Sequence, residues 1–187
     1  EITLEANPGT LEAGRFAEFR AAGINRLSLG VQSFADAQLT RLGRIHDGAQ
    51  ARRAIDSARA AGFDNFNLDL MHGLPEQSLK DALADLESAL SFEPPHLSWY
   101  QLTIEPNTVF YSKPPPLPSE SILTSVQDAG HALLAARDLE QYEVSAYACS
   151  SSLQSRHNFN YWQFGDYLGI GAGAHGKISL TDGSQPL

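Results

Sequence analysis

The sequence predicts an α/β protein built as part of a (β/α) barrel, and three observations carry that prediction. Strand-like and helix-like segments alternate along the 187 residues. One unit repeats: "RAAGINRLSLGV" (20–31) and "RAAGFDNFNLDL" (59–70) share Arg-Ala-Ala-Gly, an apolar residue and then a strand, at an offset of 39 residues. That offset is about one helix–strand unit, the crossover a parallel sheet needs between neighbouring strands. Finally, four strand-like runs each carry one apolar face and one polar or small face.

In chain order, "EITLEANP" reads as a strand running into a turn, and Thr10 caps a helix running to Ala22. Gly23 and Gly62 stand where a helix ends in the left-handed conformation before the next strand. A second helix covers roughly Ala49 to Ala61. Ser78 with Asp81 makes a capping box before Leu79, Leu83, Leu86 and Leu90, an apolar stripe at helical spacing. After the rigid "KPPPLP" (113–118), Ser119 opens a helix with Ile122, Val126, Ala129 and Leu133 on one face. "AARDLEQYEVSAY" (135–147) is a weaker third echo of the repeat. "HNFNYW" (157–162) mixes a histidine, two asparagines and three aromatics and carries no plain helix or strand signature. The chain reads as an excerpt of a longer protein, with residues 1–112 as the barrel core and residues 113–187 as a closing segment.

Side chains alternate faces along a strand. Leu27, Leu29 and Val31 therefore oppose Ser28, Gly30 and Gln32; Phe66, Leu68 and Leu70 oppose Asn67, Asp69 and Met71. The same phase puts Ile2 and Leu4 against Thr3, Glu5 and Asn7, and Tyr100, Leu102 and Ile104 against Trp99, Gln101, Thr103 and Glu105. In a barrel the apolar faces meet the outer helices, so the polar set points inward. A filled barrel interior favours Val, Ile and Leu, and an unpaired buried carboxylate costs several kcal/mol. Glu5, Gln32, Asp69 and Gln101 are thus expected to surround a polar ligand near the carboxyl ends of the strands. The competing reading, a sheet with one solvated face, fits the alternation of strands and helices less well.

Composition narrows the classes. With 42% hydrophobic and 9% aromatic residues the chain buries a core, and its net charge of −9, with no basic run, argues against nucleic acid. No stretch approaches the roughly 20 apolar residues of a membrane span, and no secretory signal appears, so a cytoplasmic location is expected. The single cysteine, Cys149, excludes a multi-cysteine metal site within the chain. His46, His72, His96 and His131 show no metal-ligand spacing, and no nucleophile–base constellation is present.

"EITLEANPGT", "NRLSLGVQSF", "RLGRIH", "NLDLMHGLPEQS", "LSWYQLTIEPNT", "HNFNYW" and "YLGIGAGAHG" together resemble the oxygen-independent coproporphyrinogen III oxidase family of radical S-adenosylmethionine (SAM) proteins. They are closest in kind to its HemW-type heme-chaperone branch. The resemblance runs through essentially the whole chain. It implies a partial (β/α) barrel of the radical SAM type, truncated at its N-terminus, SAM as cofactor, and a [4Fe-4S] cluster whose cysteine motif lies outside this sequence. It carries SAM contacts to Glu5, Gln32 and Asp69, which the alternation had already singled out, and to Arg44 and Thr103. A planar guanidinium at Arg44 suits the methionyl carboxylate. The glycine-rich "GIGAGAH" (169–175) is expected near the cofactor, with His175 as a candidate contact.

Two functions follow from the resemblance. One is a heme chaperone that binds heme and hands it to an acceptor protein; the other is the coproporphyrinogen III dehydrogenase, which uses the SAM-derived radical for oxidative decarboxylation. The His-Asn-x-x-Tyr-Trp pattern resembles the heme-associated motif of the chaperone branch. Imidazole is a common axial ligand of heme iron, and tyrosine and tryptophan cover a flat macrocycle, so His157, Asn158, Tyr161 and Trp162 are the candidate heme contacts. A turn in which Tyr161 and Trp162 seal the barrel and His157 bonds backbone is the alternative. A phosphate-binding barrel has only the glycine-rich turn in its favour.

Overall fold

The computed structural model describes residues 1–9 and 15–180. They form two compact units, the first from Glu1 to Leu153 and the second beginning at Gln154. Thr10, the expected helix cap, lies outside the described residues.

The first unit is a six-stranded sheet with helices on one face. Strands β1 (Thr3–Ala6), β2 (Arg26–Gln32), β3 (Phe66–His72) and β4 (His96–Gln101) run parallel in that order. Between them lie α1 (Phe16–Ala21), α2 (Asp36–Arg41), α3 (Gly48–Ala60) and α4 (Leu79–Leu90). Two of these helices start on capping boxes, Asp47 with Gln50 and Ser78 with Asp81, the second as the sequence predicts. Gly23 and Gly62 follow their helices at φ of 103° and 82°.

Beyond β4 come α5 (Val109–Ser112) and α6 (Glu120–Ala135), which begins after Ser119. The third repeat echo is corrected here. Instead of one more parallel strand, the chain makes a hairpin of β5 (Glu140–Glu143) and β6 (Ala146–Ala148), and β6 pairs antiparallel with β4. The sheet order is β1-β2-β3-β4-β6-β5. Only a few residues separate β5 from β6, too short for the crossover a parallel pair requires.

The helix-facing side of the sheet is dry. Leu27, Leu29, Val31, Phe66, Leu68, Leu70, Leu97 and Trp99 are buried there. They meet small residues on the helices: Ala51, Ala54 and Ala58 of α3, and Ala82 and Ala89 of α4. On α6 the buried stripe is Val126, Gly130 and Leu134, one position round from the predicted one, while Ile122 is exposed. Gly130 explains the rotation: a β-carbon there would stand 1.9 Å from the Trp99 ring, so the indole occupies the room a side chain would need.

This packing also corrects the phase read for the fourth strand. Register pairs Leu68 with Leu97 and Leu70 with Trp99, which puts Trp99 on the helix side. Ser98 and Tyr100 pair with Asp69 and Met71 and lie on the polar face. Gln101 pairs with His72, so it does not join Asp69.

The second unit holds α7 (Arg156–Trp162) and a bridge between Tyr167 and Lys177 that closes the glycine-rich turn. "HNFNYW" is therefore helical after all. Ser155 caps it by accepting from the Asn158 backbone N–H, a local signal outside the motif itself.

Candidate functional site

The polar face of the sheet is organised in rows. Register places Glu5 opposite Ser28, Ser28 opposite Asn67, and Asn67 opposite His96, so one residue from each parallel strand forms a line across it. One pleat further along, Asp69 stands opposite Ser98. Further along still, Tyr100 donates to Gln32 Oε1 at 2.7 Å. A barrel interior filled for stability alone would hold branched apolar residues in these layers.

Asp69 is the centre. Asn67 Nδ2 donates to its Oδ1 at 2.8 Å and Ser28 Oγ to its Oδ2 at 3.2 Å. Burial pushes its carboxyl above the usual carboxylate range, hydrogen bonds from Asn67 and Ser28 pull it back, and the Glu5 charge raises it further. A carboxylate has about four acceptor positions, so two donors leave capacity for a ligand. Glu5 is exposed on the same side, which makes the pair suited to a cationic amine or to hydroxyls.

Gln32 sits where the β2–β3 register shifts, in the left-handed conformation (φ 67°), and is buried. A non-glycine residue there is strained by about 1 kcal/mol or more, and such strain clusters at functional sites. Beside it, a β-carbon on Gly30 would lie 3.2 Å from both Asn7 Oδ1 and Gln32 Nε2, so a side chain there would press on both amides. Arg44 is exposed at the rim, following α2 and the left-handed Gly43, with Nη1 3.5 Å from Asn7 Oδ1. Tyr100 ties the set together electrically: burial raises its hydroxyl, the Asp69 charge raises it too, and the Arg44 charge lowers it.

Of the sequence-predicted residues, Glu5, Gln32 and Asp69 gather on one face with Arg44 at its edge. Thr103 lies past the end of β4, exposed, beside Leu42, Glu105 and Phe110 in a separate depression. Sequence reasoning missed Tyr100, whose phase it inverted, and His96, which carries no local signal. Among the described residues no group of three or more His, Cys, Asp or Glu is arranged to hold a metal ion, and Cys149 is exposed.

The second unit presents a different surface. His157 and Tyr161 meet edge-to-face at 4.8 Å on α7, and Tyr161 meets Tyr167 at 4.6 Å. His157 is exposed and Asn158 half-buried, and Tyr161 and Trp162 leave 44% and 56% of their surface open. Phe164, Leu168 and Ile170 are also exposed in this unit. His175 is exposed on the glycine turn, where its backbone carbonyl leaves no room for a β-carbon on Gly169.

Residues 1–89 match the family model described as the radical SAM superfamily. The chain is 58% identical over 183 residues to the heme chaperone HemW of Escherichia coli, covering 98% of this chain and 48% of that protein. It is 56% identical to the heme chaperone HemW of Haemophilus influenzae with the same coverage, so the chain spans about half the length of the curated relatives it matches. Coproporphyrinogen III oxidase (HemN) from Escherichia coli, whose solved structure is described as that of a radical SAM enzyme, superposes with a TM-score of 0.79 at 25% identity. That superposition covers 94% of this chain and 44% of that one. No helix among the described residues is long and apolar enough to cross a membrane.

Proposed function

Because the chain belongs to the radical SAM superfamily, in its HemW-type branch, we propose that it forms the SAM-holding part of a heme chaperone. What supports the SAM assignment is the polar row on the sheet. Asp69 and Glu5 offer acceptors to an amine or to ribose hydroxyls, Gln32 is held in place by Tyr100, and Arg44 at the rim offers a fork to a carboxylate. The residues fit the zwitterionic, hydroxyl-bearing cofactor in charge and donor set. Thr103 is the outlier of the proposed SAM contacts, since it lines a depression with Leu42, Glu105 and Phe110 that includes none of the other four. SAM, when bound beside a reduced [4Fe-4S] cluster, supplies radical chemistry. The part of this chain is to orient it and exclude water.

The observation that carries the heme reading is the open aromatic face of α7. His157 is available as an axial ligand, with Asn158, Tyr161 and Trp162 beside it, and His175 is an added candidate. Heme, delivered onward to an acceptor protein in the cytoplasm, is the cargo this reading assigns.

The test uses the full-length protein. Hemin is titrated against wild type and His157→Ala, and the Soret band and affinity are compared. An unchanged spectrum in the variant removes His157 from the iron. Anaerobic turnover of coproporphyrinogen III with reconstituted cluster, SAM and reductant would instead establish the dehydrogenase.

A further inference from the structure

Behind Asp69 runs a chain of hydrogen bonds that reaches the far edge of the sheet. Asn67, buried, gives Nδ2 protons to Asp69 Oδ1 (2.8 Å) and Ser28 Oγ (2.8 Å). Its Oδ1 receives Ser98 Oγ (3.1 Å) and faces His96 Nδ1 at 2.7 Å. His96, also buried, faces Tyr142 with its other nitrogen, Nε2 to the phenol oxygen at 2.6 Å.

The direction of every bond follows from the carboxylate. Turning the Asn67 amide over would put its oxygen against Asp69 and its NH2 against His96, leaving two acceptors face to face. The amide therefore points its NH2 at Asp69, and Oδ1 is left to accept from His96. His96 Nδ1 must then carry the proton, Nε2 must accept, and the Tyr142 hydroxyl must donate. The chain reads Tyr142 to His96 to Asn67 to Asp69, with all dipoles directed toward the carboxylate. Burial, and then the Arg26 charge, hold His96 at a pKa of about 3, so the neutral ring this arrangement needs is the form present near neutrality.

Two backbone features serve the far end of this chain. The β5–β6 register slips between Gln141 and Glu143, which leaves Tyr142 as the extra residue of a bulge. Bulges re-aim side chains. Between Tyr142 and His96 lies β6, and the β6 residues opposite His96 and Ser98 are Ala148 and Ala146. Their methyl groups let the phenol reach across the strand.

We propose that Asn67, His96 and Tyr142 are positioning residues for Asp69, a directed hydrogen-bond chain that makes SAM affinity depend on the β5–β6 hairpin. The proposal rests on the SAM reading given above. None of the three residues is assigned a contact with SAM.

The experiment uses the full-length protein with its cluster reconstituted, SAM binding by equilibrium dialysis, and NMR of histidine labelled at the ring nitrogens to read the tautomer. The expected result is a single Nδ1–H tautomer at His96, with SAM binding weakened roughly ten-fold in His96→Leu and roughly three-fold in Tyr142→Phe, the scale of one lost hydrogen bond. His96→Asn, which keeps an N–H toward Asn67, recovers most of the loss. Tyr142→Phe should leave the Nδ1–H tautomer in place, since Asn67 Oδ1 fixes it, and remove only the donor to Nε2. That variant deletes one oxygen and keeps the test decisive if His96→Leu does not fold. SAM binding that Asp69→Asn weakens but Tyr142→Phe and His96→Leu leave unchanged overturns the proposal alone. Wild-type protein that shows the expected tautomer yet binds no SAM overturns the reading of the pocket, and the proposal with it.

Discussion

The two faces of the same four strands are built on opposite rules, and their histidines show it most clearly. His72 and His96 are both buried, one on each side of the sheet. His72 lies on the helix side, its ring 4.3 Å from Trp99, and its Nδ1 has no hydrogen-bond partner. His96 on the polar side has a partner at each nitrogen. On the helix side a polar atom is a cost tolerated within dense packing. On the polar side the same ring is recruited at both nitrogens into a row of hydrogen bonds.

The largest expected effect breaks both faces together, by acid. In the unfolded chain these imidazoles protonate near 6.5; in the folded chain burial holds His72 to about 4 and His96 to about 3. Between those values the unfolded state binds more protons, so stability falls as pH falls and is fully present above 6.5. At about 1.4 kcal/mol per unit, the loss is on the order of 3 kcal/mol per histidine by pH 4. Asp69 and Asp85 have the opposite sign, since burial raises both and the folded state takes up their protons first. They soften the lower end of the curve. Urea unfolding between pH 7 and 5 checks this, and a flat midpoint there would contradict buried neutral rings.

Adjacent residues separate the faces next. Leu68→Ala removes a fully buried side chain on the helix side and is expected to cost about 3 kcal/mol of stability while sparing SAM affinity in the folded fraction. Asp69→Asn, one residue on, should leave stability within about 1 kcal/mol and weaken SAM binding roughly ten- to a hundred-fold. Equal effects on both readouts from either change would abolish the distinction. Gly130→Ala sits between these in size. Its methyl group would enter the Trp99 ring, and overpacking of this kind costs about 1–3 kcal/mol, read as a lowered Tm.

The smallest effect sharpens the comparison most. His96→Leu strands Asn67 and Tyr142 and should destabilise by about 2 kcal/mol. His72→Leu strands no partner and should be near neutral or slightly stabilising, by under about 1 kcal/mol. Matching losses from the two substitutions would show that the faces do not differ in this way.

Much of this was legible from residue order, and the failures have physical causes. Alternation separated the faces correctly in β2 and β3, where Leu and Phe alternate with Ser, Asn and Asp. It inverted β4 because Trp99 and Tyr100 are adjacent and both amphipathic, so the pattern has no phase of its own. The phase is decided by Gly130, 31 residues away, which leaves space for one ring only. The hairpin was hidden because pairing direction is a property of the sheet, and residues 135–147 alternate well enough for either direction. His96 was passed over for a similar reason: its partners lie 29 and 46 residues away, and nothing nearby marks it. The Ser78–Asp81 capping box and the left-handed Gly23 and Gly62 were read correctly because their chemistry is complete within four residues, whereas the Asp47–Gln50 box was passed over.

The fit of Trp99 onto Gly130 has an evolutionary consequence. The two positions share one volume, so neither is free to drift alone. A descendant that gains a side chain at 130 keeps its barrel wall only if the ring at 99 shrinks with it, and a descendant that loses the ring opens a void that invites a larger residue at 130. Sequences of this branch should therefore show these two sites changing as a pair, and a chimera that takes strand and helix from different parents should inherit the collision.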